Sequence, residues 1–177
     1  ADHADLTEEY AAIPEELKTL CHLLGKEVLR EIPEQTFLDA LPKLRDRVSD
    51  RSILRAIHFY GENRRVCRQA EALKRRDIET FLALTASSGR SSWMYLQNII
   101  PTGAVAHQAL AVTLAVCDTL LKGRGAFRVH GGGFAGTVQV FVPLEQLSDL
   151  QAGIERYLGP GRCHVLSIRS EGGIQID

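Results

Sequence analysis

No stretch of this 177-residue chain approaches the roughly 18 consecutive apolar residues of a membrane-spanning helix, and its N-terminus lacks the charged-then-apolar pattern of a secretory signal. Cysteine is sparse: the four, at 21, 67, 117 and 163, stand in neither CxxC nor mixed Cys/His spacing, so neither a zinc site nor a disulfide framework is suggested. Buried free thiols in a soluble, cytoplasmic protein are the expectation. Charge of one sign is not in excess either. With 21 Lys and Arg against 22 Asp and Glu, nothing points to nucleic acid or an anionic membrane as partner. There is no internal repeat and no low-complexity segment. Position 1 is Ala rather than Met, and Asp2-His3-Ala4-Asp5 reads as the middle of a working segment, so a part of a longer protein is expected.

What is present suffices for a packed core, since 45% of the residues are hydrophobic. The charges are unevenly placed. Residues 1–42 hold 3 basic and 10 acidic side chains, residues 43–76 hold 11 basic and 4 acidic. A solvated basic helix lying near an acidic one accounts for this more simply than an anion-binding patch.

Helical periodicity dominates to residue 122. A first helix is predicted over about Ile13 to Leu24, with Pro14 in its first turn and Gly25 at its end, and a short one from Pro33-Glu34 to Leu41, interrupted by Pro42. Ser49 or Asp50 opens a long amphipathic helix to Arg76. Asp77 caps the next, which continues to about Gln97; Thr102 is placed to cap an almost wholly apolar helix over Ala104–Leu121. Trp93 and Phe81 are expected in the core between helices. After Gly123 the period changes: Ala126–Val129, Thr137–Val142 and Cys163–Ile168 read as strands, with a helix from Pro143-Leu144 to Leu158 before the last. The fold class that follows is α+β, a mostly antiparallel sheet covered by helices.

The segment His130-Gly131-Gly132-Gly133-Phe134-Ala135-Gly136-Thr137 is the most informative. Its G-x-G-x-x-G spacing serves a dinucleotide only where a helix starts at the loop, whereas here a strand follows. The absent GK[ST] ending excludes a P-loop. Four glycines in six positions exceed what a turn needs and suit a loop whose bare amides approach an anion or sugar hydroxyls.

This loop, with Gly125-Ala126-Phe127-Arg128 before it, resembles the third glycine motif of the GHMP kinases in its galactokinase form. His58-Phe59-Tyr60-Gly61-Glu62-Asn63-Arg64-Arg65-Val66 is similar to the galactokinase H-x-x-x-E-N-x-R-V helix. Asp5-Leu6-Thr7-Glu8-Glu9-Tyr10 resembles the segment ending in that family's sugar-contacting tyrosine. Departures mark a divergent, bacterial-type branch: His130 for the usual Thr, Ala135 for Gly, Ser87 to Ser92 for a Ser-His pair, and Asn98-Ile99-Ile100-Pro101 for a Ser-Cys-Pro pattern.

The resemblance implies a GHMP-kinase C-terminal domain over 1–177, with 1–25 in the sugar-site segment at a domain junction. It implies galactose and Mg2+-ATP as ligands and the protein's own N-terminal domain as partner. The family's Asp base and P-x-x-x-G-L-S-S-S phosphate loop do not occur here, so the resemblance gives this chain no catalytic residue and no metal ligand, and no activity by itself. It gives Tyr10 as sugar contact and Gly131, Gly132, Gly133, Phe134, Ala135 and Gly136 as the phosphate and substrate loop. His130 is either a phosphate donor or a neighbour of the loop. Glu62, Asn63, Arg64 and Arg65, pointing round their helix, are expected in a structural network. The alternatives are a non-catalytic sugar and ATP sensor on the same scaffold, or another GHMP small-molecule kinase.

Overall fold

The computed structural model describes residues 6–168, so Asp2, His3 and Asp5 of the opening segment lie outside the described residues. The chain opens with α1 (Thr7–Leu23), which starts well before Ile13 because Glu8 and Glu9 suit the positive end of the helix dipole. Pro14 therefore lies inside the helix rather than in its first turn, and supplies no N–H to the Tyr10 carbonyl one turn back. A 3₁₀ turn at Leu29–Glu31 leads to α2 (Glu34–Leu44), which runs through Pro42 instead of ending before it. Buried Phe37 and Leu44 anchor that helix on both sides of the proline, and tertiary burial outweighs local propensity.

Caps define the next two helices. Ser49 accepts from the Ser52 amide at the head of α3 (Asp50–Lys74), and Asp77 accepts from Thr80 at the head of α4 (Ile78–Ser91). At Ser92–Leu96 the chain widens into a π-turn, closed by the Gln97 amide on the Ser92 carbonyl. Helix α5 (Ala109–Leu121) begins later than expected, since Thr102 binds Glu9 of α1 and caps nothing. Strands β1 (Ala126–His130) and β2 (Thr137–Phe141) pair antiparallel from Ala126↔Phe141 to His130↔Thr137. A 3₁₀ turn at Leu144–Gln146 then feeds α6 (Leu147–Leu158). The third strand is not found: Cys163–Ile168 has no regular structure, because its β-branched residues meet no ladder partner among the described residues.

The molecule is α+β, and the helices cover the hairpin as the alternation of periods predicts. One core cluster joins α1, α2 and α3 around Leu20, Phe37 and Tyr60; another joins Ile99, Leu110, Leu114 and Val129 of the α5–β1 contact; a third lies between α5 and α6. Three expectations fail on exposure. Trp93 is 41% exposed, Cys67 is on the surface, and α5 shows Val112 to solvent instead of being buried all round. Phe81 is half-buried, edge-on to Phe141. The charge asymmetry resolves into ion pairs: Glu16 of α1 meets Arg51 and Arg55 of α3, and Glu34 of α2 meets Arg64. No described helix is long and apolar enough to cross a membrane.

Candidate functional site

The glycine loop is seated on two side chains from distant parts of the chain. Tyr10, on the second turn of α1, donates its hydroxyl to the Gly133 carbonyl at 2.7 Å, and its ring lies edge-on to Phe134 with centroids 5.5 Å apart. Asn98, just past the π-turn, is 2% exposed; its Nδ2 donates to the Gly132 carbonyl at 3.1 Å, and its backbone oxygen accepts from the Phe134 amide at 2.6 Å. The two halves of the loop differ. Gly131 and Gly132 are exposed, whereas Gly133 and Phe134 are buried against Asn98 and Tyr10.

Backbone conformation explains the composition. Gly131, Gly133, Phe134 and Gly136 all have positive φ, from 55° to 98°. At Gly133 the requirement is double: φ is 85°, and a Cβ there would lie 2.0 Å from the Asn98 carbonyl oxygen. Gly132 has ordinary φ, and an added Cβ would meet only the Tyr10 ring, at 2.9 Å. His130 is exposed at the end of β1, its Nδ1 3.5 Å from the Thr137 hydroxyl.

Beneath the strand leading into this loop lies the network carried by the α3 motif. Positions 58, 62 and 65 share one helix face. His58 Nδ1 lies 2.9 Å from the Ser91 hydroxyl, and the Glu62 carboxylate takes bonds from Ser88, Arg65 and, at 3.4 Å, Arg128 of β1. Glu62 and Arg65 thus do cluster, while Arg64 turns to Glu34 of α2 and Asn63 to Arg30 and its own helix. Of the four residues expected in a network, Glu62 and Arg65 belong to this one, which ties β1 to two helices.

Burial pushes the His58 pKa down against the pull of Glu62. For Glu62, burial raises the pKa, but Ser88, Arg65 and Arg128 together hold the carboxyl below its ordinary value. Both folded values lie below the unfolded ones, so the sign is the same for each: the stabilisation is complete above the ordinary value and is lost as pH falls toward the lowered one. The thermal midpoint is therefore expected to fall first as pH drops below the ordinary histidine range, and again in the carboxylate range. His58→Gln should remove the first step only. Thermal scans of both forms between pH 8 and about 5 check this, and a parent midpoint flat across that interval would contradict it.

Three residues that organise the site were not singled out from the sequence as functional: Asn98, Arg55 and Glu16. Arg55 is wholly buried on α3, 2.8 Å from Glu16, and donates its Nε to the Leu96 carbonyl at the end of the π-turn, two residues before Asn98. Among the described residues no group of three or more His, Cys, Asp or Glu side chains is arranged to hold a metal ion.

No protein-family model matches the chain. It is 29% identical over 170 residues to the galactokinase of Homo sapiens, covering 96% of this chain and 40% of that protein. It is 26% identical over 149 residues to the galactokinases of Glaesserella parasuis and Actinobacillus pleuropneumoniae, covering 84% of this chain and 37% of each. The chain thus spans about two fifths of the length of the relatives it matches. In fold, it superposes on the crystal structure of Lactococcus lactis galactokinase complexed with galactose with a TM-score of 0.66, at 23% identity, over 90% of this chain and 39% of that one. The chain is thus similar in sequence to galactokinases, over 96% of its length to the human one, and over 90% of its length it shares the fold of the Lactococcus lactis protein.

Proposed function

We propose that the chain is the C-terminal, sugar-facing part of a galactokinase-type enzyme that transfers the γ-phosphoryl group of ATP to the anomeric hydroxyl of galactose. The observation that carries this reading is the meeting of two motifs 123 residues apart: the tyrosine of α1 and the glycine loop are joined by a 2.7 Å hydrogen bond. A residue type suited to a sugar and a loop suited to an anion or hydroxyl thus form one surface. In the reaction a bond forms between the anomeric oxygen and phosphorus, the bond to the leaving ADP breaks, and the hydroxyl proton passes to a base outside these residues. Positioning and charge neutralisation dominate such catalysis, and this chain's share is positioning. Bound Mg2+ would neutralise phosphate charge; with ATP, it would be held mainly by the N-terminal part of the whole protein, while the exposed Gly131 and Gly132 suit close approach by the reacting groups.

The geometry also refines the role proposed for Tyr10. Its proton is committed to Gly133, so the phenol would meet a sugar as an acceptor rather than as a donor. Tyr10→Phe in the whole protein is expected to weaken galactose binding by about 0.5 to 1.5 kcal/mol, roughly 2- to 13-fold, with a small fall in melting temperature from the loosened loop. Unchanged galactose affinity with lowered stability would reduce Tyr10 to a packing residue. The reaction itself is tested by ATP-dependent phosphorylation of galactose against a panel of other hexoses. Tight galactose binding without turnover would leave a sugar sensor on the same scaffold.

A further inference from the structure

The peptide planes of the glycine loop are not left to chance. A trans peptide is flat, with its C=O and N–H pointing in opposite directions. The Gly132 carbonyl is aimed inward at Asn98 Nδ2, so the N–H of the same peptide, that of Gly133, is aimed away from Asn98. Neither the Gly132 nor the Gly133 amide donates a hydrogen bond among the described residues. The next peptide is held the opposite way, its Phe134 N–H inward on the Asn98 carbonyl.

We propose that Asn98 is the positioning residue of the loop: its side-chain amide fixes the Gly132–Gly133 peptide, and with it the turn that exposes Gly131 and Gly132 to the substrate or its transferred phosphoryl group. This rests on the kinase reading for its consequence, but not for its geometry. The orientation of the Asn98 amide is itself determined, since exchanging its O and N would set two oxygens against each other at the Gly132 carbonyl. Its Oδ1 is buried with no partner among the described residues, so the bond to Gly132 is the polar contact that fixes the side chain. There is no room for a substitute from the loop side, because a side chain on Gly133 would overlap Asn98.

The test uses Asn98→Ala, Asn98→Leu and Asn98→Asp in the whole protein. Ala and Leu remove the donor, one with loss of volume and one without. Asp replaces the donor by a carboxylate that repels the Gly132 carbonyl when ionised and donates to it when protonated. Burial beside a carbonyl raises the titration of that carboxyl above its ordinary range. At pH 8, kcat/KM for galactose is expected to fall roughly 10- to 100-fold in all three, with the KM for ATP unchanged. As pH is lowered, Asn98→Asp alone should recover relative to the parent, a response that loss of volume or packing does not produce. Hydrogen exchange of the peptide spanning 130–136 supplies the readout independent of activity: the protected Phe134 amide should exchange faster in Asn98→Ala and Asn98→Leu. Unchanged exchange in both variants overturns the proposal, whatever the kinetics. If the parent lacks galactose kinase activity, the function reading fails, and the exchange data still decide the role of Asn98. Should Asn98→Ala not fold, Asn98→Leu and the pH dependence of exchange in Asn98→Asp decide it in the same way.

Discussion

Gly133→Ala is expected to disable the loop, although it adds a single methyl group. The new Cβ would stand 2.0 Å from the Asn98 carbonyl oxygen and 2.5 Å from its Nδ2, and neither can retreat: the oxygen is backbone, and Asn98 is buried. The residue must also keep φ near 85°, which costs an L-amino acid about 1–3 kcal/mol where the surroundings hold it there. Relief of the overlap adds about 1–3 kcal/mol. The total, roughly 2–6 kcal/mol, is read by thermal or denaturant unfolding of the whole protein, with galactose turnover lost in parallel. Gly132→Ala is the matched control. Its φ is ordinary and its new methyl would press only on the edge of the Tyr10 ring, 2.9 Å away, which can swing aside, so its effect on stability should be much the smaller. Equal effects at the two positions would mean that the loop is not seated on Asn98 as described.

That contrast marks where sequence alone reaches its limit. Four glycines in six residues between two β-rich runs announced a loop needing bare backbone, but not that Gly133 is the indispensable one, because the atom that decides it belongs to Asn98, 35 positions earlier. Ser49 and Asp77 were legible as caps because capping is local chemistry. The period of α3 and the change of period after Gly123 were legible for the same reason. Pro14 and Pro42 misled, since packing on either side of a proline can hold a helix that the residue alone would end. Thr102 misled as a cap because Glu9 competes for it. Arg55 was illegible: set among Ile53, Leu54 and Ile57, it reads as a polar break in an apolar face, and nothing nearby in sequence says that Glu16 will meet it. The tyrosine and the glycine loop could each be read as a motif, whereas their contact belongs to the fold.

The pair formed by Arg55 and Glu16 carries the second large effect. Arg55 is fully buried, and burial pushes its pKa down, opposed by the charge of Glu16, yet a guanidinium remains protonated at any working pH. Its Nη1 lies 2.8 Å from Glu16 Oε2 without forming an aligned hydrogen bond, so the attraction is mainly coulombic; the directed bond is from Nε to the Leu96 carbonyl, at 3.1 Å. Glu16 is shared, because Arg51 also holds its Oε1. Glu16→Gln keeps the volume but strips a buried cation of its counter-charge, and is expected to cost about 3–5 kcal/mol in denaturant unfolding of the whole protein. Arg55→Met should cost less, since the buried charge goes with the side chain and Glu16 keeps Arg51; what remains is the Leu96 carbonyl without its donor, about 1–3 kcal/mol. The double variant should then lose less than the sum of the two, because once Arg55 is gone the missing carboxylate has no buried charge left to neutralise. If Glu16→Gln costs under about 1 kcal/mol, the pair behaves as a surface ion pair and not as a buried one. The Leu96 carbonyl ends the π-turn that delivers Asn98 to the loop, so Arg55→Met should also speed hydrogen exchange at Phe134, two steps along the same chain of contacts.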